Sequence, residues 1–141
     1  MWTARIVLSV LLLLGAAGQA RGTSSPSLRM VELTNQDRAD RDRAPLDFNA
    51  HLSRYAARHA KAMAEAGRLF HTPDLAAKLQ GLDWSIGGEN VGHGGSLEIL
   101  ERAFMHSKVH RSNILRPGFD SVAVGVFRDG NSLWVTVIFY G

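Results

Sequence analysis

The chain has 141 residues and a mass of 15.4 kDa, the length of one domain at roughly 150 residues per domain. With 45% hydrophobic and 21% charged residues, the composition is that of a globular protein and argues against disordered, collagen-like and coiled-coil classes. It has no cysteine, which removes disulfide scaffolds, Cys-ligated zinc modules and thiol chemistry; its net charge of +3 comes from bases scattered among acids, as in Asp37, Arg38, Asp40, Arg41, Asp42 and Arg43, without the basic stripe that binding nucleic acid requires.

The N-terminus carries Arg5, then an apolar run from Ile6 to Leu14, then small residues up to Gly18 and Ala20. This is the charged, apolar and cleavage-site pattern of a Sec-type signal peptide over residues 1–20, and it predicts a secreted protein. The run meets Gln19 and Arg21 before the roughly 20 apolar residues that a spanning helix needs, so membrane contact is expected only through an uncleaved signal. A polar leader over 21–27 and a single domain over 28–141 complete the organisation.

Ser25 or Ser27 is positioned to cap a first helix, with Leu28, Val31, Asn35 and Arg38 on one face, running to about Asp42. Pro45 interrupts it, because the residue before a proline is pushed out of the helical region. Asn49 caps a second helix in which Leu52, Ala56, His59, Ala60 and Met63 form the apolar stripe and Arg54, Arg58, Lys61 and Glu65 the outer side, with Gly67 as the stop. His59 is read as a core histidine. Residues 73–82 hold a short helix or turn. Five of the nine residues from Gly87 to Gly95 are glycine, which predicts tight turns or a close backbone approach. The segment lacks the Lys-Ser/Thr of a phosphate loop, and no Gly-x-Ser-x-Gly follows to make His93 part of an esterase oxyanion segment. Ser96 caps a helix carrying Leu97, Leu100 and Phe104, and a short helix over 108–115 follows. Val122, Val124 and Val126 alternate along a strand, Asp129-Gly130 turns, and residues 133–140 return as a strand apolar on both faces. Helices on both faces of a small antiparallel sheet make an α+β, three-layer α-β-α sandwich.

The chemistry on offer is six histidines, a glutamate and a serine. No His-Glu-x-x-His zinc-protease helix is present. His71 follows the apolar Leu69-Phe70 pair beyond a helix stop, Glu89 lies in the glycine segment, and Ser107 and His110 stand three apart where one helix ends. If these four converge, imidazole and carboxylate would suit a zinc-like divalent cation with positions left for water. His51 and His106 read as surface residues, and His93 as a loop residue or a rim to the same cleft.

These blocks occur in an order that resembles the CAP superfamily of secreted proteins (cysteine-rich secretory proteins, antigen 5 and pathogenesis-related proteins). They are Asn35-x-x-Arg38 with Pro45-Leu46; Leu52, Ala56, His59-Ala60 and Met63; Phe70-His71; Gly88-Glu89-Asn90-Val91; Ser107-x-x-His110-Arg111-x-Asn113-Ile114-Leu115; and the Val124-Gly125-Val126 and Leu133-Trp134-Val135-Thr136 strands. The cysteine-free form is similar to the bacterial branch. The Gly92-His93-Gly94-Gly95 stretch, with Phe104 where a Trp is common, suggests an actinobacterial type. The resemblance implies a central cleft holding two histidines and two acids, sometimes with a divalent metal. Three positions map to His71, Glu89 and His110; Ser107 stands where plant and animal members carry the second acid. His71 and His110 are the possible metal ligands. Glu89 and Ser107 are the candidate catalytic groups, while Asn35, Arg38, His59 and Asn90 read as structural.

Three functions follow. The first is a secreted, monomeric binding module for a lipid, a glycan, a divalent metal or an extracellular protein, with no required cofactor. A hydrolase or protease is the second: a metal held by His71 and His110 would polarise a carbonyl with Glu89 as base, or Ser107 would act as nucleophile with His110 as base. The third is a structural envelope protein with a vestigial cleft. Metal binding requires neutral imidazoles, whose ordinary pKa is about 6.5, so affinity should fall from pH ~7 to ~5.

Overall fold

The computed structural model describes residues 24–141; the expected signal peptide and the first residues of the expected polar leader lie outside them. Among the described residues no helix is long and apolar enough to cross a membrane.

Helix α1 spans Pro26–Ala39, capped by the Ser25 hydroxyl, which accepts the Leu28 N–H at 3.3 Å. The helix thus starts inside the expected leader and ends three residues before Asp42, which has left-handed backbone (φ 56°). Its buried stripe is Met30, Val31, Thr34 and Arg38, while Leu28 stays exposed. The two-residue strand β1, Asp47–Phe48, precedes α2, Ala50–Ala66, whose ends are the Asn49 cap and a left-handed Gly67. α3 is Leu75–Leu79, α4 is Leu97–His106 behind the Ser96 cap, and α5 is Lys108–Ile114.

The glycine segment, expected to make tight turns or a close backbone approach, is strand β2, Gly87–Gly94. It pairs antiparallel with β4, Ser132–Tyr140, which pairs antiparallel with β3, Ser121–Asp129, around the positive-φ Gly130. The sheet order is β1-β3-β4-β2, with β1 parallel to β3. The sheet is therefore mixed, not purely antiparallel, because a two-residue edge strand adds a parallel pair.

β2 is glycine-rich for a packing reason. A Cβ on Gly88 would lie 2.8 Å from Asn113 Oδ1, and one on Gly92 would lie 2.9 Å from Phe104 Cζ, so α5 and α4 rest directly on the strand. The layers follow from alternation along β3 and β4. Val122, Val124, Val135, Val137 and Phe139 join residues of α1, α4 and α5 in one core cluster, while Ala123 and Ile138 meet Leu52 and Ala56 of α2, and Trp134 meets Ala60 and Met63. A Cβ on Gly125 would fall on the Ala56–Ala57 backbone, so α2 sits on β3 with no side chain between them. These contacts make the three-layer sandwich, with β2 as an edge strand where both helical layers can reach one site.

Candidate functional site at the edge of β2

Polar residues first fix the frame. Asn35 binds both sides of Leu46, donating to its carbonyl at 3.2 Å and accepting its N–H at 2.8 Å. Arg38, only 1% exposed, donates to the carbonyls of Ala44, Ile114, Arg116 and Phe119 at 2.7–3.2 Å. It ties α1 to the end of α5, and burial lowers its pKa from the ordinary arginine value. His59 is buried, its Nε2 paired with the Phe70 carbonyl at 2.9 Å and its ring edge-on to the Phe70 ring; this holds the segment leading to His71. Asn90 donates to the His110 carbonyl at 3.1 Å and accepts from Asn113 at 2.9 Å, and Asn113 also reaches the Glu89 carbonyl at 3.3 Å. Asn90 and Asn113 together lock α5 to β2.

On this frame the three matched residues arrive from three elements: His71 from the α2–α3 connection, Glu89 from β2 and His110 from α5. The His71 Nδ1–H donates to Glu89 Oε1 at 2.7 Å. Thr72 supplies two more donors, its N–H to Oε1 at 2.9 Å and its hydroxyl to Oε2. The carboxylate side chain is 4% exposed and the imidazole 67%, so a buried anion grips an exposed ring. An imidazole that donates from Nδ1 is left, when neutral, with Nε2 as its free acceptor.

His110 is half-buried, its ring 5.0 Å from that of Phe104. Burial holds its pKa below the ordinary histidine value, and His71 is near enough to push in the same direction. Glu89 stands behind His71, its oxygens engaged by protein donors, and not beside the two rings as a third ligand. Among the described residues no three His, Asp or Glu side chains gather as a metal-ligating group.

Ser107 is the N-cap residue of α5, but its hydroxyl makes no cap hydrogen bond. Its N–H is spent on the Ala103 and Phe104 carbonyls, and no hydrogen bond joins it to His71, Glu89 or His110. His93 lies on β2, exposed, its ring 4.2 Å from that of Trp134, its partner across the ladder. It is a strand residue and not part of a loop. His51 and His106 are exposed.

Sequence reasoning passed over Thr72, the residue that satisfies Glu89. The one available signal is that it precedes Pro73, which keeps its backbone extended. Asn113 was visible only as part of a motif, without a role.

A family model described as CAP, cysteine-rich secretory protein family, matches residues 31–139. The uncharacterised Bacillus subtilis protein YkwD is 32% identical over 125 residues, covering 79% of this chain and 48% of its own length; the chain thus spans about half of that curated relative. Among solved structures, an extracellular SCP-domain protein from Bacillus anthracis superposes with a TM-score of 0.71 at 21% identity, over 82% of this chain and 40% of that one. An outer surface protein of Borrelia burgdorferi also gives 0.71, at 16% identity, over 80% of this chain and 90% of that one. At such identities these two structures speak for the fold alone. The family model, which runs from within α1 to the penultimate residue of β4, makes this chain a member of the CAP, or cysteine-rich secretory protein, family.

Proposed function

We propose that this chain is an exported CAP-domain binding protein whose ligand is held at the edge of β2 by the imidazoles of His71 and His110, and not a hydrolase. The observation that carries this reading is the gripping of an exposed imidazole by a buried, fully engaged carboxylate. Such a ring is preorganised, and little ordering entropy remains to be lost on binding.

The donor set fits a divalent transition metal. Imidazole nitrogens are borderline ligands, and a carboxylate on the far nitrogen is the usual outer-shell partner of a metal-bound histidine. His71 and His110 would hold such an ion, with Glu89 positioning His71. When bound, it would supply a Lewis-acidic centre with open positions for oxygen donors of a ligand such as a glycan. A lipid chain suits this polar ground less well. The cavity of about 510 Å³ along α1 is lined by Leu28, Val31, Glu32, Asn35, Gln36 and Ala39, none of them from the imidazole site.

Hydrolysis asks for groups that are engaged elsewhere. Glu89 has both oxygens committed to Thr72 and His71, which leaves it poorly placed as a general base toward solvent. An activated serine requires a base within hydrogen-bond reach, and Ser107 has no such bond to His110. Export rests on the pattern of residues 1–20, in keeping with the extracellular and outer-surface settings named for two fold neighbours. The actinobacterial subtype rests on Gly92–Gly95 and Phe104.

Calorimetric titration of Zn²⁺ into the purified protein at pH 7 tests this reading. Saturable 1:1 binding, lost in both His71→Ala and His110→Ala with circular dichroism unchanged, is the expected result. Binding indifferent to both substitutions, or cleavage of peptide or ester libraries that disappears in Glu89→Gln, would overturn it.

A further inference from the structure

On α2, flanking the stripe that faces the sheet, His51, Arg54, Tyr55 and Arg58 follow one another at helical spacing. Lys78 of α3 reaches across to the same place. With Leu52 these residues line a cavity of about 420 Å³. Tyr55 is its floor: Lys78 Nζ lies 5.1 Å and the Arg58 guanidinium carbon 5.9 Å from its ring centroid. Two long cationic side chains are thus held against one aromatic ring at the lining of one cavity, which limits their freedom.

The third cation is also held. Arg54 Nη2 donates to His51 Nδ1 at 2.6 Å. A ring nitrogen that accepts a hydrogen bond carries no proton of its own, so His51 orients Arg54 while Nε2 remains as a donor. None of Arg54, Arg58 or Lys78 forms a salt bridge among the described residues, and no carboxylate lines the cavity. Among the neighbouring acids, Glu65 pairs with Lys61 one helical turn beyond and Asp74 caps α3 through the Ala77 N–H, while Asp47 and Asp83 form no salt bridge with the three cations. Three unpaired cations in one concavity repel one another, and the cheapest relief is a compact polyanion.

We propose that this pocket is a binding site, separate from the imidazole pair, for an anion carrying two or more phosphate groups. Phosphate matches the forked guanidinium donors of Arg54 and Arg58 bidentately, and Lys78 adds a point charge. The demand for more than one phosphate comes from three positive charges confined to a space of this size. A nucleic-acid duplex is a poorer match, since it is usually gripped by six to ten phosphate contacts along a stripe.

The test is calorimetric titration of the purified protein with tripolyphosphate at 50 mM salt. In parallel, flotation is measured with phosphatidylcholine vesicles, with and without phosphatidylglycerol. Expected is 1:1 binding of tripolyphosphate that weakens roughly tenfold or more in Arg54→Gln/Arg58→Gln and several-fold in Lys78→Gln. It should also weaken on raising the salt tenfold, and Arg102→Gln, on the opposite helical layer, should bind like the parent. Vesicle binding that needs phosphatidylglycerol and falls in the same variants, without tripolyphosphate binding, would show single phosphates on a lipid surface as the ligand and overturn the assignment to an anion with two or more phosphates. Absence of both, or binding that the Arg54/Arg58 and Lys78 variants leave unchanged, would overturn it. Lys78 lies on a different helix, so its variant keeps the test decisive if the double substitution on α2 disturbs folding.

Discussion

Glu89 on β2 and Glu101 on α4 are both buried, at 8% and 3% exposure, yet their surroundings are opposite. Glu89 accepts hydrogen bonds at both oxygens from His71 and Thr72, whereas neither oxygen of Glu101 has a hydrogen-bond partner. Thr34 and Asp37 of α1 lie close enough to Glu101 to act on its proton, and the Thr34 hydroxyl is itself unpartnered. The difference teaches how to tell a carboxylate with a job at the surface from one merely enclosed. Glu89 is satisfied and transmits its position to an exposed ring; Glu101 is sealed between two helices, where burial, ahead of the repulsion from Asp37, pushes its pKa to about 8. Arg38, in the same helical layer, shows that a buried charge there can be fully partnered when four carbonyls converge on it.

Removing the ionisable group at Glu101 should change stability most. A carboxyl whose folded-state pKa lies above its unfolded value of about 4.5 keeps its proton on folding. Its contribution is fully present below pH 4.5 and is lost as the pH rises towards about 8. In Glu101→Gln that loss disappears, and the variant should gain on the order of 3 kcal/mol over the parent at pH 7 and nothing at pH 4. Urea denaturation at the two pH values measures it; an equal effect at both would show that ionisation is not involved.

On the Glu89 side the sign reverses. Glu89→Ala removes the acceptor of three donors and should cost about 2–3 kcal/mol in the same assay. Thr72→Val deletes the hydroxyl donor but keeps the backbone one, for about 1 kcal/mol. Smallest in stability is His71→Ala, which should stay within about 0.5 kcal/mol, because the ring is mostly solvent-exposed, while it abolishes Zn²⁺ binding. A His71 variant that unfolds the protein would mean that the ring serves the fold before any ligand.

Much of this architecture was legible from side-chain periodicity. Asn49 and Gly67 bracket α2, Ser96 opens α4, and the alternation along β3 and β4 foretold helices on both faces. β2 was not legible, since local propensity penalises the very glycines that the close approach of α4 and α5 demands. The same holds for α1, whose buried stripe includes Thr34 and Arg38 and therefore reads as polar. For the candidate site, the motif order singled out His71, Glu89 and His110. What each atom does could not be read, because it depends on Thr72 and Asn113, whose roles exist only once α5 and the α2–α3 connection close on β2. The cationic pocket escaped for a related reason: Lys78 comes from another helix, and the unpaired state of the arginines is a fact of three dimensions.

On the proposed reading, Glu89 positions His71 and leaves Nε2 for a ligand. Nitrogen-15 NMR of the imidazoles during Zn²⁺ titration tests it most directly. The account predicts that His71 Nδ1 keeps its proton and its hydrogen bond to Glu89 throughout while the Nε2 resonance moves to a metal-bound position, together with one nitrogen of His110. A metal-bound Nδ1 on His71, or His71 resonances that do not respond to the ion, would contradict it.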